Sequence, residues 1–312
     1  MPIYTLDWAE PPPGNVRGGA ITIGNFDGVH LGHAALVAEL HQQARAVGGP
    51  GVAVTFDPHP LKLLRPELFQ PVLTTPLDRG QLLLDLGVDH VVLLRTTPEL
   101  LQLTAEDFFR GVIQERLAAR AIVEGANFRF GRGRGGDVDI LARLGEQVGV
   151  RTTVVPSVMW QNKPVSSSRV REALLQGAVR EAAVLLHRAY RVRGTVVTGR
   201  QRGQTLGFPT ANLEGIETLI PGDGVYAVKV RVGLNSWPGA ANIGPNPTFG
   251  EQARKVEVYL IGYQGDLRGQ ELTVDFLERL RDTRAFQTVE ELVDQLRRDV
   301  ARAEDIARSE DP

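Results

Sequence analysis

The chain has 312 residues, more than one hydrophobic core usually organises, so two domains are expected. A net charge of −2, from 35 Lys+Arg against 37 Asp+Glu, argues against a broad nucleic-acid or membrane-binding surface. There is no cysteine, which excludes disulfides, thiolate nucleophiles and Cys-ligated metals. No apolar run is long enough to span a bilayer, and Met-Pro-Ile-Tyr-Thr-Leu-Asp-Trp lacks a signal-peptide pattern, so the reading is soluble and cytoplasmic.

Residues 1–18 contain Pro11-Pro12-Pro13-Gly14 and read as an extended approach to the first strand. That strand, Ile21 to Ile23, ends at Gly24, and the turn-rich Gly24-Asn25-Phe26-Asp27-Gly28 follows. A helix is expected from near His30, with Ala34, Leu36, Val37 and Leu40 apolar. His30 and His33 then share one face of its first turn, where unpaired N–H groups and the positive dipole end attract anions. Either histidine alone reads as an exposed residue opening a helix; the pair beside a glycine turn makes a phosphate site plausible.

The unit repeats. Apolar runs at Gly51–Thr55, Val91–Leu94, Ala121–Glu124 and Thr152–Val155 alternate with helical patterns at Asp78–Leu86, Ala105–Leu117 and Val138–Gln147. Alternation of this kind implies a doubly wound parallel sheet, with ligands beyond the carboxyl ends of its strands. Gly131-Arg-Gly-Arg-Gly-Gly136 matches the spacing of a dinucleotide loop but does not follow a strand directly, so that reading fails. It reads instead as an Arg-rich loop over a phosphate ligand or as a solvated loop. Val165-Ser-Ser-Ser-Arg-Val-Arg171 places serines and Arg169 and Arg171 at a helix start: an ordinary cap, or an anion site where hydroxyls, N–H groups and guanidinium forks converge.

From Tyr190 the pattern becomes strand-like, so the boundary is placed near residue 187, giving domains 1–186 and 187–312. Strand runs at Val192–Val197, Gly224–Val232, Lys255–Tyr263 and Glu271–Leu277 suggest a compact β-barrel. A last helix, Thr288 to about Ile306, opens on a Thr288/Glu291 capping box and should pack Val289, Leu292, Val293, Leu296 and Val300 on the barrel. Gly199-Arg-Gln-Arg-Gly203-Gln-Thr-Leu-Gly207 reads first as a glycine turn, with room for a phosphate chain to approach the backbone. If Pro209 to Asn212 is extended, Thr210 and Asn212 point to one side and can ligate magnesium beside nucleotide phosphates. Glu257 falls on the strand face opposite Val256, Val258 and Leu260: a surface glutamate on an edge strand, or a proton acceptor for a hydroxyl. Asp275 and Glu278 read as solvated charges.

These strings carry a resemblance. His30-Leu-Gly32-His33 resembles the His-x-Gly-His signature of nucleotidyltransferases, and the preceding Asn-Phe-Asp-Gly-Val resembles the adenylyltransferase half of bacterial riboflavin kinase/FAD synthetases. Gly125-Ala-Asn-Phe-Arg-Phe-Gly131, the Ser-Ser-Ser-Arg-Val-Arg run, Leu-Gly-Phe-Pro-Thr-Ala-Asn212 and Ala241-Asn-Ile-Gly-Pro-Asn-Pro-Thr-Phe-Gly250 followed by Val256-Glu257 are similar to further motifs of that family, in its order. The resemblance implies a bifunctional enzyme of flavin cofactor biosynthesis, with a Rossmann-like domain followed by a β-barrel and C-terminal helix. The barrel would phosphorylate riboflavin with ATP and Mg²⁺, Glu257 acting as base, Thr210 and Asn212 holding the metal, and Gly199, Gly203 and Gly207 the phosphates. The first domain would adenylylate FMN with a second ATP, giving FAD and pyrophosphate. There His30 and His33 stabilise charge; Gly24, Asn25, Gly32, Ser167, Ser168, Arg169 and Arg171 contact ATP; Asp27 and Asn127 contact flavin. Adenylylation or cytidylylation of another phosphate ester, and a catalytically inert flavin carrier, are the alternatives at this point.

Overall fold

A computed structural model of the chain describes residues 2–198, 206–246 and 251–309. They form two compact units, residues 1–70 with 74–166 and residues 71–73 with 167–312.

The first unit is built on six parallel strands in the order β1-β4-β3-β2-β5-β6: β1 (Ile3–Leu6), β2 (Ala20–Ile23), β3 (Gly51–Asp57), β4 (His90–Arg95), β5 (Ala121–Gly125) and β6 (Arg151–Val155). All four residues of β2 are buried, as a central parallel strand covered on both faces requires. Strand alternation sends Ile21, Ile23, Val52, Val54 and Ile122 to a core shared with Phe108, Phe109, Ile113 and Leu141. The opposite face packs Ala20, Ala53, Val91, Leu93 and Val123 against Val37, Leu40 and Ala44 of α1 (Leu31–Val47) and Leu83. Gly48, left-handed at φ 63°, closes α1. Five short helical segments follow in chain order, α2 (Pro60–Leu64), α3 (Pro76–Asp85), α4 (Pro98–Gln102), α5 (Ala105–Phe108, continued as a π-helix to Arg116) and α6 (Val138–Val148). A two-stranded hairpin, β7 (Met159–Trp160) and β8 (Lys163–Pro164), ends the unit.

Strand β1 was expected only as an extended approach; it pairs with β4 from Ile3↔Val91 to Leu6↔Leu94. Four residues before a proline run are too short to show a period on their own.

The second unit opens with α7 (Ser167–Leu175) and α8 (Val179–Leu186). A closed antiparallel barrel follows, in the order β10-β13-β12-β11-β14-β9, from β9 (Tyr190–Val197), β10 (Thr210–Glu214), β11 (Gly224–Val232), β12 (Asn235–Asn246), β13 (Glu251–Leu260) and β14 (Glu271–Arg281). The helices before residue 187 associate with the barrel through long-range contacts that sequence alone could not place. The Gly222 N–H donates to the Leu174 carbonyl (2.8 Å), and Arg180 of α8 pairs with Glu278 of β14.

Strand β12 is not among the strand runs read in the sequence, and it carries Pro238 and Gly239 within it. Gly239 is needed there, since a Cβ would stand 2.7 Å from the Tyr259 carbonyl oxygen. The expectation that Asp275 and Glu278 are solvated is overturned. Asp275 is buried and takes a two-point contact from Arg191 (2.6 and 2.9 Å) and a third from Arg231 (3.0 Å); Glu278 pairs with Arg180 and Arg302. The final helix, α9 (Val289–Ser309), is capped by the Thr288 hydroxyl accepting the Glu291 N–H (3.2 Å). Of its expected stripe Val289 is 47% exposed, Leu292, Val293, Leu296 and Val300 are half-buried, and the same face continues into buried Asp299, Ala303 and Ala307. Asp299 pairs with Arg281 of β14 (2.8 Å), a charged anchor on the packed face of the helix.

Candidate functional site

In the first unit the sheet changes direction at β2. From β2 the chain runs outward to β3 and β4 on one side, and β5 lies on the other. Ligands bind at such switch points, beyond the carboxyl ends of the strands. Gly24 follows the last residue of β2, so the Gly24–His33 string occupies this place.

The loop is held in an unusual backbone. Phe26 and Val29 have φ of 46° and 42°, and Gly28 has 82°. A β-branched valine in that region is a conformational outlier of the kind concentrated at functional sites. Four contacts hold the strain in place. Phe26 is fully buried and meets His33 edge-on, with ring centroids 5.1 Å apart. The Gly28 N–H donates to Thr74 Oγ1 (3.1 Å), and Asp27 Oδ1 accepts from the Thr74 N–H (3.1 Å) and hydroxyl (3.3 Å). Asp27, expected as a flavin contact, is buried and binds this backbone.

His30 is the N-cap of α1, and the two imidazoles stack at 3.7 Å. The His30 backbone N–H donates to His33 Nδ1 (3.2 Å), which requires that nitrogen to be unprotonated and leaves the proton of the neutral ring on Nε2. Gly32 packs under the pair: a Cβ there would lie 3.1 Å from the His30 ring. The Asn25 carbonyl accepts from the Thr55 hydroxyl (3.1 Å) and from Arg79 Nη1 (2.7 Å). Asn127 lies exposed on the turn after β5. The Gly131–Gly136 loop is closed by paired backbone bonds between Phe130 and Gly136 (3.0 and 2.9 Å) around a short turn, in keeping with rejection of the dinucleotide reading.

Ser167, Ser168, Arg169 and Arg171 form the first turns of α7 in the second unit. Arg169 pairs with Glu181 of α8 (3.2 Å), and Arg171 Nε donates to the Pro71 carbonyl (3.2 Å).

The barrel gathers the other predicted residues by register. Thr210 and Asn212 alternate with buried Ala211 and Leu213, and Glu257 alternates with buried Val256 and Val258. Asn212 pairs directly with Glu257, and Thr210 with Tyr259, so all four occupy the outward face of β10 and β13. Across β13, Glu257 also pairs with Asn242 of β12, which sequence reading left out although it stands in the quoted Asn-Ile-Gly string. Glu257 therefore lies on a central strand with an amide on each flank, and the edge-strand alternative falls away. Phe208 meets Tyr259 edge-on at 5.6 Å beside this row. Gly207, at φ 84°, turns the chain into β10; Gly199 and Gly203 lie outside the described residues.

Two family models match the chain, FAD synthetase over residues 13–169 and riboflavin kinase over residues 186–307. A bifunctional riboflavin kinase/FMN adenylyltransferase of Pseudomonas fluorescens is 36% identical over 292 residues, covering 93% of this chain and 94% of its own. The chain belongs to the bifunctional riboflavin kinase/FMN adenylyltransferase family. Relatives of the same description include one from Escherichia coli K12, 35% identical over 91% of both chains, and one from Listeria monocytogenes, 34% identical over 96% of this chain and 93% of its own. A Streptococcus pneumoniae crystal structure described as a macrolide-efflux protein is 32% identical, with a TM-score of 0.86 over 96% of this chain and 97% of that one. The fold is thus shared along nearly the whole length. Among the described residues no helix is long and apolar enough to cross a membrane.

Membership of the riboflavin kinase/FMN adenylyltransferase family makes the chain an enzyme of flavin cofactor biosynthesis, and orders the two sites. The His-x-Gly-His loop belongs to the FAD synthetase part and the Asn212–Glu257–Asn242 row to the riboflavin kinase part.

Proposed function

We propose that the chain converts riboflavin to FMN at the outward face of β10 and β13 and FMN to FAD at the β2 switch point, in the cytoplasm and without nucleic-acid partners. The observation that carries the reading is the register of Asn212 against Glu257, which puts an amide, a carboxylate and the Thr210 hydroxyl on one strand-pair face. We place the boundary between the two activities at 186/187; the riboflavin kinase model begins at residue 186.

In the first reaction Glu257 accepts the proton of the ribityl 5′-hydroxyl as its oxygen bonds to the γ-phosphorus of ATP; the bond to ADP breaks and ADP leaves. Phosphoryl transfer asks chiefly for alignment and charge neutralisation. A hydroxyl and an amide oxygen, with nucleotide phosphates completing the shell, suit a hard divalent ion, so Thr210 and Asn212 are the residues to hold Mg²⁺. When bound, the ion neutralises charge on the β- and γ-phosphates. Gly199, Gly203 and Gly207 are assigned to the ATP phosphates of this site.

In the second reaction a phosphate oxygen of FMN attacks the α-phosphorus of ATP, and pyrophosphate leaves. No proton needs to be removed from the nucleophile, so the residues act on charge. His33 offers Nε2–H, its tautomer set by the His30 N–H, and His30 stands stacked beside it. Gly24, Asn25 and Gly32 shape the turn, Ser167, Ser168, Arg169 and Arg171 contact the triphosphate, and Asn127 and Asp27 complete the flavin side, Asp27 through the loop it holds.

The test is a time course. Purified protein with riboflavin, ATP and Mg²⁺ should give FMN and then FAD on chromatography. FMN that accumulates without conversion would remove the assignment of the first unit; no FMN at all would remove that of the barrel.

A further inference from the structure

Two buried ionisable side chains meet the same three residues of backbone from opposite sides. Along β2 the N–H groups alternate between neighbours. The Gly24 N–H goes to the Val54 carbonyl of β3 (3.0 Å), so the Ile23 N–H faces β5. The register between β2 and β5 ends at Ile21↔Ile122, where the two strands begin to part. The Ile23 N–H is met there by a side chain: Glu124 Oε1 accepts it at 2.6 Å, and Glu124 is 2% exposed. On the β3 side Arg79 of α3, also 2% exposed, donates through Nη1 to the Asn25 carbonyl (2.7 Å), Thr55 Oγ1 (2.9 Å) and the Phe56 carbonyl (3.3 Å).

We propose that Arg79 and Glu124 are positioning residues for adenylyl transfer, clamping the Ile23–Gly24–Asn25 backbone from the β3 and β5 sides so that the strained loop carrying His30 and His33 is held in register with the nucleotide. The proposal rests on the assignment of that loop to FAD formation. Each residue satisfies a backbone group at the point where sheet pairing stops, and the pair brackets Gly24, the pivot between rigid strand and loop. Their charges suit an anion site. Burial pushes the Glu124 carboxyl well above the ordinary carboxylate range, which favours its neutral form. Arg79 keeps its charge against burial, with Asp27 and Asp57 near it. Because the histidines act on charge that develops during reaction, a displaced loop lowers kcat more than it raises KM.

The experiment measures FAD formation from FMN and ATP in the full-length protein, with riboflavin phosphorylation by the same molecules as the control for folding. E124V and R79M are expected to lower kcat for FAD formation by about 10²-fold, with the KM for FMN and the kinase rate within about twofold of wild type. E124Q, whose amide oxygen can accept the Ile23 N–H, should recover most of the rate. R79K, which keeps the charge but not the fork, should fall between. If E124V or R79M does not fold, E124D, one methylene short of Ile23, and R79K carry the same test. H33A separates the two levels of inference. If H33A lowers FAD formation while E124V and R79M, or their substitutes, leave kcat unchanged, the clamp is overturned and the site stands. If H33A leaves FAD formation unchanged, the site assignment falls and the clamp with it.

Discussion

Asn212 and Glu257 stand directly opposite one another on adjacent antiparallel strands of the barrel, with Asn242 opposite Glu257 on its other side. Opposed residues in such a pair have Cβ atoms about 5 Å apart, so the carboxylate cannot move far from the amides. Glu257→Gln keeps the shape and the polar row but removes the proton acceptor. FMN formation should drop by about 10²- to 10⁴-fold, while FAD formation from supplied FMN stays within about twofold. Parallel assays on one preparation decide it.

His33 has two duties, accepting the His30 N–H at Nδ1 and presenting Nε2–H. His33→Ala removes both and should lower FAD formation by about 10²- to 10³-fold. His33→Asn retains an acceptor for the His30 N–H but no donor in the place of Nε2. It should therefore be nearly as stable as wild type by thermal unfolding and nearly as slow as His33→Ala.

Glu124 links stability to pH. Burial raises its folded-state pKa well above 4.5, the Ile23 N–H opposes the shift, and no charged side chain contributes. Above pH 4.5 the unfolded chain releases this proton while the folded chain keeps it, so stability falls as pH rises through the window between the two values. One linked proton changes stability by at most about 1.4 kcal/mol per pH unit. Glu124→Gln has no proton to lose. Its denaturation midpoint relative to wild type should therefore rise between pH 5 and pH 8, and a constant offset would refute the linkage.

Asp299 is the buried anchor of α9, accepting from Arg281 at 2.8 and 2.9 Å and from Gln295 Nε2 at 2.8 Å. Asp299→Asn leaves the Arg281 charge without its counterion and should destabilise the barrel by about 3 kcal/mol, read by urea unfolding. Replacing both, Asp299→Leu with Arg281→Met, should recover much of that loss.

What the sequence made legible was whatever repeats or sits in a short continuous string. The buried strands Ile21–Ile23 and Ala121–Glu124, the His30/His33 spacing and the alternation around Glu257 all survive folding because each is local. What it hid was long-range. Glu124 looked like the end of an apolar run, and its role depends on Ile23, 101 residues away in the chain. Arg79 looked like one polar position in a helical pattern, yet it is among the largest fully buried side chains. Asp275 seemed solvated because its partners, Arg191 and Arg231, come from two other strands. Helices α7 and α8 sit before the expected boundary, but contacts such as Gly222 with Leu174 place them with the barrel.

The edge position of β1 bears on how the first unit is assembled during synthesis. Residues 3–6 find their sheet partner only at residues 91–94, so β1 is synthesised well before β4 and must wait for it. Strands β2 and β3 can pair as soon as α1 connects them, and β4 extends that ladder before β1 caps it. Until then the outer edge of β4 presents free N–H and C=O groups, a template for pairing with another nascent chain. A bulky tag fused ahead of Ile3, or trimming into it, would lengthen that interval, and lower yields of unaggregated protein should be the first sign.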